Sequence, residues 1–436
     1  MKQSLGKKVR SGPPETEKMD MQRDMIFQNR FLMHLLGWPV AAARSTLCRA
    51  RVHKERMENI KQPFIIVANH NAFYDFYVFV HALKPFTGIY PAAIDDFIGR
   101  ETFLRMGGCV PKRKYTSDLN TVLQCKKALE NGENFGILAE ARYSLCGTTE
   151  MDALTDSLGQ LVKLMGVPCV TFKSCGHHLT DPFWGNHVIR FLPHTDAYVT
   201  QILTAEEVKA STAEEINRKI REYIDNDDWR WQYENHVAIR YKKRAEGLHK
   251  PLYMCPHCRT EYRMKSKDDY IWCDHCRKRW YLSEYGELKS PDGVTEFKFP
   301  SDWYSWEREC VQEEVLSGKY HFECDCHVNE LPNSKGFVRL GKGHLIHNME
   351  TGFLLEGIRD YDGKPFKMHI DPAAQNSVHV EYNYRYGNHK DCIDLNTLKD
   401  TYYAFPENCN FSVTKVTLAA EAIYKEVWRK KAIKKL

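Results

Sequence analysis

Three patterns of hydrophobic and polar positions follow one another along the chain. From Pro63 onward, short unbroken apolar runs rich in β-branched residues recur at 64–68 (FIIVA), 134–139 (NFGILA) and 167–172 (VPCVTF). Runs of this length, apolar on both alternating faces, predict buried strands. Between them, 119–130 and 158–165 carry helical periodicity, with Gly132 and Gly166 placed to end those helices. Strand and helix in alternation predict an α/β layer, a mostly parallel sheet flanked by helices. Residues 204–245 read as helix, opened by a Thr204 cap with Glu206 and Glu207 in the first turn.

The second pattern spans 336–413. Turn residues recur at Gly341, Gly343, Gly352, Asp362-Gly363, Asp371-Pro372 and Gly387-Asn388, and the pieces between them alternate, as in 377–382 (SVHVEY). This predicts antiparallel β structure. A final helix over 416–433 follows, and its basic end (Arg429, Lys430, Lys431, then Lys434 and Lys435) suits a helix C-terminus without any partner. Several strands closed by one helix resemble, in element order, a pleckstrin-homology-like barrel.

The third pattern lies at 25–43, MIFQNRFLMHLLGWPVAAA. Ile26, Phe27, Leu32, Met33, Leu35 and Leu36 mark an amphipathic helix, interrupted by Gln28, Asn29, Arg30 and His34 and expected to break at Pro39. Such a helix lies in a membrane interface or packs on the protein's own core. No run of apolar residues reaches the length of a transmembrane helix. Residues 1–20 are polar, contain Pro13 and Pro14, and are expected to be disordered. The chain therefore divides into a tail (1–20), an interfacial helix region (21–50), an α/β domain (51–245), a cysteine-rich module (250–286) and a β-rich domain closed by a helix (287–436). No internal repeat is visible.

Composition changes this picture little. A length of 436 residues calls for two or three domains. The formal net charge of +5 is small for that length and argues against a nucleic-acid-binding protein of strongly basic type. Fifteen cysteines accompany a polar N-terminus without a signal-peptide core, so the thiols are expected to be reduced and the protein cytoplasmic.

Candidate chemistry begins where the strand 65–68 runs into Asn69-His70-Asn71-Ala72-Phe73-Tyr74-Asp75. In parallel sheets, reactive groups gather at the carboxyl ends of strands. An aspartate five residues on can fold back to accept the Nδ1–H of His70, leaving Nε2 as a base. No serine or cysteine nucleophile accompanies the pair, so the activated hydroxyl would belong to a substrate. The same segment also fits a helix N-cap in which Asn71 or Asp75 bonds backbone amides and His70 is a bystander.

Further segments bear on the choice. The chain resembles the lysophosphatidate and glycerol-3-phosphate acyltransferase family over about residues 60–200. Asn69-His70 with Asp75 matches the family's first motif. Gly107, Val110 and Arg113 stand at the spacing of its second. The third, normally Phe-Pro-Glu-Gly-Thr-Arg-Ser, reads here Leu138-Ala139-Glu140-Ala141-Arg142-Tyr143-Ser144, with Glu140 and Ser144 in place, Arg142 one position early and Tyr143 where arginine is usual. Val167-Pro168-Cys169-Val170 matches the fourth. The resemblance implies His70 as general base, Asp75 as its orienter, and a substrate site of Asn69, Gly107, Lys112, Arg113, Glu140, Arg142 and Ser144. In it Arg113 holds the acceptor phosphate, Glu140 positions the acceptor and Arg142 is a substitute cationic contact. Lys112-Arg113-Lys114 after Gly107-Gly108 also suits phosphate binding on physical grounds. The altered third motif puts the acceptor's identity in question.

Two Cys-x-x-Cys knuckles, Cys255/Cys258 and Cys273/Cys276, are separated by fourteen residues. This is the pattern of a zinc ribbon holding one structural Zn²⁺ through four thiolates, with no open position for catalysis. Tyr253, Tyr270, Trp272 and Trp280 would form its small core. Cys324, Cys326 and His327 form only half a site and are read as structural, as are His177 and His178, whose side chains on an extended chain diverge.

The expectation is thus an α/β acyltransferase domain, a zinc ribbon and a β-rich domain. The acyl donor would be acyl-CoA or an acyl carrier protein and the acceptor 1-acylglycerol-3-phosphate or a related lysophospholipid. The protein would sit peripherally on the inner face of the membrane, with no nucleic acid as partner. The rival is a zinc-ribbon nucleic-acid-binding or regulatory protein with an inactive acyltransferase-like domain.

Overall fold

The apolar runs become the inner strands of a seven-stranded sheet in the computed structural model, which describes residues 9–12, 18–185, 190–384 and 390–433. Its strands are β1 (Ala50–Glu55), β2 (Ile65–Ala68), β3 (Gly88–Ala93), β4 (Cys109–Lys112), β5 (Asn134–Leu138), β6 (Cys169–Cys175) and β7 (Thr195–Leu203), in the order β1-β7-β6-β2-β5-β3-β4. All neighbours are parallel except β6 and β7. The third apolar run pairs two residues later than expected, and the carbonyl of Pro168, which lacks an N–H, accepts instead from the Ile65 amide.

Alternation along β2 explains the layering. Ile65 and Val67 face a cluster with the helices Leu119–Glu130, Ser157–Met165 and Ala213–Ile224. Ile66 and Ala68 face Trp38, Ala41, Val78 and Phe79 on the opposite side. The expected helix over 204–245 is instead three short ones, Ala205–Ala210, Ala213–Ile224 and Asp228–Glu234. Capping boxes at Thr204/Glu207 and Thr212/Glu215 start the first two.

Near the N-terminus, helical segments Arg30–Leu32, Met33–Gly37 and Trp38–Leu47 run into one another, so Pro39 does not break the helix. The middle segment is a π-turn, and Pro39 stands in the first turn after it, where the wider spacing accommodates its ring. Met33, Trp38 and Ala41 pack on the core, whereas Phe31, Leu35, Leu36 and Val40 are 71%, 59%, 59% and 50% exposed. Among the described residues no helix is long and apolar enough to cross a membrane.

Part of the tail expected to be disordered is packed. Arg10 bridges to Val338, and Met19 is buried with Phe97 and Phe337. Residues 1–8 and 13–17, with Pro13 and Pro14, lie outside the described residues.

A four-stranded antiparallel sheet follows: β8 (Met264–Lys267), β9 (Tyr270–Cys273), β10 (Arg279–Leu282) and β11 (Leu288–Lys289). The last sheet is antiparallel throughout and comprises β12 (Phe322–Glu330), β13 (Val338–Asn348), β14 (Gly352–Arg359), β15 (Pro365–Ile370), β16 (His379–Tyr384), β17 (Lys390–Asn396) and β18 (Thr401–Pro406). Its order is β15-β14-β13-β12-β18-β17-β16, and the helix Val413–Ile433 closes it. Gly341 and Gly343, expected in turns, lie inside β13. Gly341, at φ +143°, serves the irregularity where the register shifts at Val328/Asn329. The Gly387-Asn388 turn and Lys434 and Lys435 lie outside the described residues.

One continuous apolar cluster joins these units. It contains Leu145 and Trp184 of the α/β domain, Trp280 of the small sheet, Trp303 of the helix Pro300–Leu316 and Leu395 of the last sheet. Trp280 meets Trp303 edge-on at 4.8 Å, and the Trp303 indole donates to the Met254 carbonyl. Of the aromatics expected to form the ribbon's core, Tyr253 and Trp280 are buried, while Tyr270 is exposed. The small sheet therefore completes its core by packing on this helix, because alone it has too few buried side chains.

Candidate active site

β2 lies between β5 and β6, so three parallel strands end side by side. Ala68 is level with Leu138 and Phe172, and the residues that follow these strands converge. His70 follows β2, Glu140 follows β5 and His177 follows β6.

Asp75 is fully buried at the start of the helix Asp75–Ala82. Its Oδ2 accepts from His70 Nδ1 at 3.2 Å and from the backbone amides of Asn71 (2.5 Å) and Ala72 (2.8 Å). Its Oδ1 accepts from His177 Nδ1 at 2.6 Å. Asp75 thus makes the contacts named in both sequence readings of this segment, since it holds backbone amides and accepts from His70 at once. Burial alone would raise the Asp75 pKa, but the hydrogen bonds from His177 and His70 hold the carboxyl well below the usual range. The His70 Nε2 makes no hydrogen bond among the described residues, and its side chain retains 12% exposure.

His177 corrects the expectation of a merely structural histidine pair. The segment is not extended: Gly176, at φ +81° and against the Trp231 ring, turns it into the short helix His177–Thr180. His177 thus turns to Asp75, while His178 accepts from the Trp184 indole and is pushed down to about 3 by burial. Sequence proximity did not reveal the His177 contact; the pairing of β6 beside β2 does.

Glu140 and Ser144 position backbone rather than project outward. One Glu140 oxygen accepts from the His70 amide (2.8 Å) and the other from the Glu150 amide (2.9 Å). Burial pushes this carboxyl up to about 8. Ser144 donates to the Thr148 carbonyl and accepts from the Gly147 amide. Asn69 locks β2 to β6 through both its amide atoms and the Ser174 backbone. The Gly107 carbonyl accepts from the Gln28 side chain.

The cations are committed elsewhere. Arg142 is wholly buried and does not line a substrate site: it pairs with Glu421 (2.8 Å) and Glu150 (3.2 Å) and donates to Ser377 (2.7 Å). Arg308 pairs with the same two glutamates. Arg113 is also buried, donating to the Thr401 hydroxyl (3.2 Å) and the Leu398 carbonyl (3.1 Å) of the last sheet. Lys112 donates to Thr121, and Lys114 lies between Asp95 (3.4 Å) and Asp394 (3.5 Å). Arg113 and Arg142, expected to contact substrate, both contact the C-terminal unit, whose presence the local motif could not convey.

At the small sheet, the sulfurs of Cys255, Cys258, Cys273 and Cys276 lie within 4.8 Å of one another. Cys255 to Cys276 is 3.7 Å and Cys258 to Cys273 is 3.8 Å. A tetrahedral ion with bonds of about 2.3 Å separates its sulfurs by about 3.8 Å, so these four residues fit a metal ion. Cys324 and Cys326 are buried on β12, apart from this cluster.

Residues 49–173 match the sequence profile of the family described as Acyltransferase. The crystal structure of the 1-acyl-sn-glycerophosphate acyltransferase from Thermotoga maritima is similar at 19% identity and a TM-score of 0.36, over 45% of this chain and 78% of that one. Comparison with curated proteins gave no match. The chain thus carries an acyltransferase-family domain, followed by a four-cysteine cluster and a β-rich unit.

Proposed function

We propose that this domain moves a fatty acyl group from an acyl thioester, on coenzyme A or an acyl carrier protein, to the free hydroxyl of 1-acylglycerol-3-phosphate or a related lysophospholipid. The observation that carries the reading is His70, held by Asp75 at the mouth of a parallel sheet with its Nε2 unspent. Nε2 takes the proton of the acceptor hydroxyl as the oxygen attacks the thioester carbonyl. The tetrahedral intermediate collapses with loss of the C–S bond, and the leaving sulfur takes the proton from His70. Asp75 keeps Nδ1 protonated and stabilises the imidazolium that forms in between.

The four cysteines would hold one structural Zn²⁺, which ties the two knuckles together and has no open position for chemistry. The strand order and closing helix of the last unit support a pleckstrin-homology-like reading. The exposed Phe31, Leu35, Leu36 and Val40 support a peripheral seat on the inner face of the membrane. Equal flotation with liposomes of the chain with and without residues 1–50 would refute that seat.

The test of the reaction is transfer of a labelled acyl group from both donors to a panel of lysophospholipids. His70→Ala is expected to abolish transfer without shifting the melting temperature. Full activity in that variant would refute the mechanism.

A further inference from the structure

Strand alternation sorts the side chains of the small sheet onto two unlike faces. Met264, Ile271, Cys273, Trp280, Leu282 and Leu288 point inward and join the continuous apolar cluster. On the other face, Arg279, Trp272 and Lys265 form one row across β10, β9 and β8. Lys289, Tyr281, Tyr270 and Lys267 form the next, from β11 to β8. Each row has rings in the middle and a cation at both ends. Neighbouring strands lie about 4.8 Å apart, so the rings make a strip with cations along both sides. The acids of this stretch, Asp268, Asp269, Asp274, Glu284 and Glu287, all stand in the turns between strands. That sorting hides the face from the chain's net charge of +5.

The face is open to solvent. Lys265, Lys267, Arg279 and Tyr270 are exposed, and the side chains of the three cations make no hydrogen bond or ion pair among the described residues. An open groove of about 390 Å³ is lined by Lys267, Asp268, Tyr270, Trp272, Arg277 and Arg279. The Trp272 indole donates to Asp274 at 2.8 Å, which fixes the plane of its ring. Arg244 lies over the Tyr281 ring at 5.0 Å, so Tyr270 and Trp272 supply the groove's rings. Such a face asks for flat π systems and spaced anions together. Single-stranded nucleic acid brings both, because unpaired bases stack on aromatic rings while phosphates follow the cations. A duplex keeps its base faces covered. An anionic membrane or an acidic protein answers the cations alone and leaves the rings unmatched.

We propose that the solvent face of the small sheet binds single-stranded nucleic acid, with Tyr270 and Trp272 as the stacking platform and Lys265, Lys267 and Arg279 as phosphate contacts. The site uses none of the residues of the acyl-transfer reading and stands or falls apart from it.

The experiment titrates labelled uridine and deoxythymidine strands of about twelve nucleotides with the full chain and follows fluorescence anisotropy. Saturable binding of either strand is expected. Its log affinity should fall against log salt with a slope of about −2, roughly 0.7 for each of three phosphate contacts. The double variant Lys265→Ala, Lys267→Ala, at two exposed positions, should flatten that slope to about −0.7. Tyr270→Ala should weaken binding by about tenfold at the same slope and melting temperature. The annealed duplex should bind about tenfold more weakly than the single strand. No saturable binding at about 50 mM salt, equal affinity for single strand and duplex, or unaltered affinity in Tyr270→Ala overturns the proposal. Acyl carrier protein and phosphatidylglycerol vesicles are the control ligands. Binding of either that the double lysine variant loses, with no oligonucleotide binding, assigns the face to that partner and overturns the proposal.

Discussion

Arg142→Ala tests whether the C-terminal unit is held to the α/β domain by a buried ionic cluster. The substitution removes contacts to Glu421, Glu150 and Ser377 from a wholly buried position. Deleting one partner of a buried pair costs about 3–5 kcal/mol, because the charge left behind has lost its compensation. Here Glu150 keeps Arg308 at 2.6 Å and the Tyr304 hydroxyl at 3.1 Å, and Glu421 keeps Arg308 and Ser377. The loss therefore belongs at the low end, about 3 kcal/mol. Glu421→Gln alone leaves two guanidiniums facing Glu150 and should cost about 2 kcal/mol. The double variant should fall short of the sum by about 1–3 kcal/mol, since each change removes the other's partner. Urea unfolding followed by the fluorescence of the nine tryptophans measures all three. The loss should change little with added salt, since solvent ions do not reach a buried pair. A loss below about 1 kcal/mol for Arg142→Ala, or strict additivity, would refute the reasoning.

Three further outcomes follow from the site. Asp75→Asn keeps one accepting oxygen but puts an NH2 against the other histidine and removes the charge opposite the imidazolium, so kcat should fall by about 10³–10⁴ in steady-state acyl-transfer kinetics; a loss under tenfold would free Asp75 of the orienting role. Ala141 holds φ +54°, a left-handed conformation that costs an L-residue about 1–2 kcal/mol, so Ala141→Gly should raise the unfolding free energy by up to about 1 kcal/mol once the glycine's unfolded-state entropy is deducted. A destabilised Ala141→Gly chain would show that the methyl group packs. Metal analysis should find one zinc per chain, and its removal by a strong chelator should lower the thermal midpoint. A metal-free chain with an unchanged midpoint would remove the ion from the fold.

Much of the fold was legible because it follows from local periodicity. The all-apolar runs became β2, β5 and β6, and the helix predicted over 119–130 is observed at Leu119–Glu130. Gly166 ends its helix at φ +66° as its sequence position implied. Errors fell where the backbone departs from a regular period. The π-turn at Met33–Gly37 carried a helix past Pro39, and an in-strand irregularity absorbed Gly341. Capping residues inside 204–245 ended helices that composition alone would have continued.

The site divides along the same line. Spacing located His70 and Asp75 because their contact is local, spanning five residues. It missed His177, 102 residues from Asp75, because that contact depends on strand order. It placed cations at Arg113 and Arg142 but could not say what they face, since the partners of Arg113 lie 285 and 288 residues away and those of Arg142 in the last unit lie 235 and 279 residues away. An arginine in a motif is a donor in search of acceptors, and a later domain that buries Glu421 and the Thr401 hydroxyl against it supplies them. Once those guanidiniums are spent, the acceptor specificity implied by the motif no longer follows from the motif. The acyl-transfer chemistry proposed above asks less of the chain, only His70, Asp75 and the carboxyl end of a parallel strand.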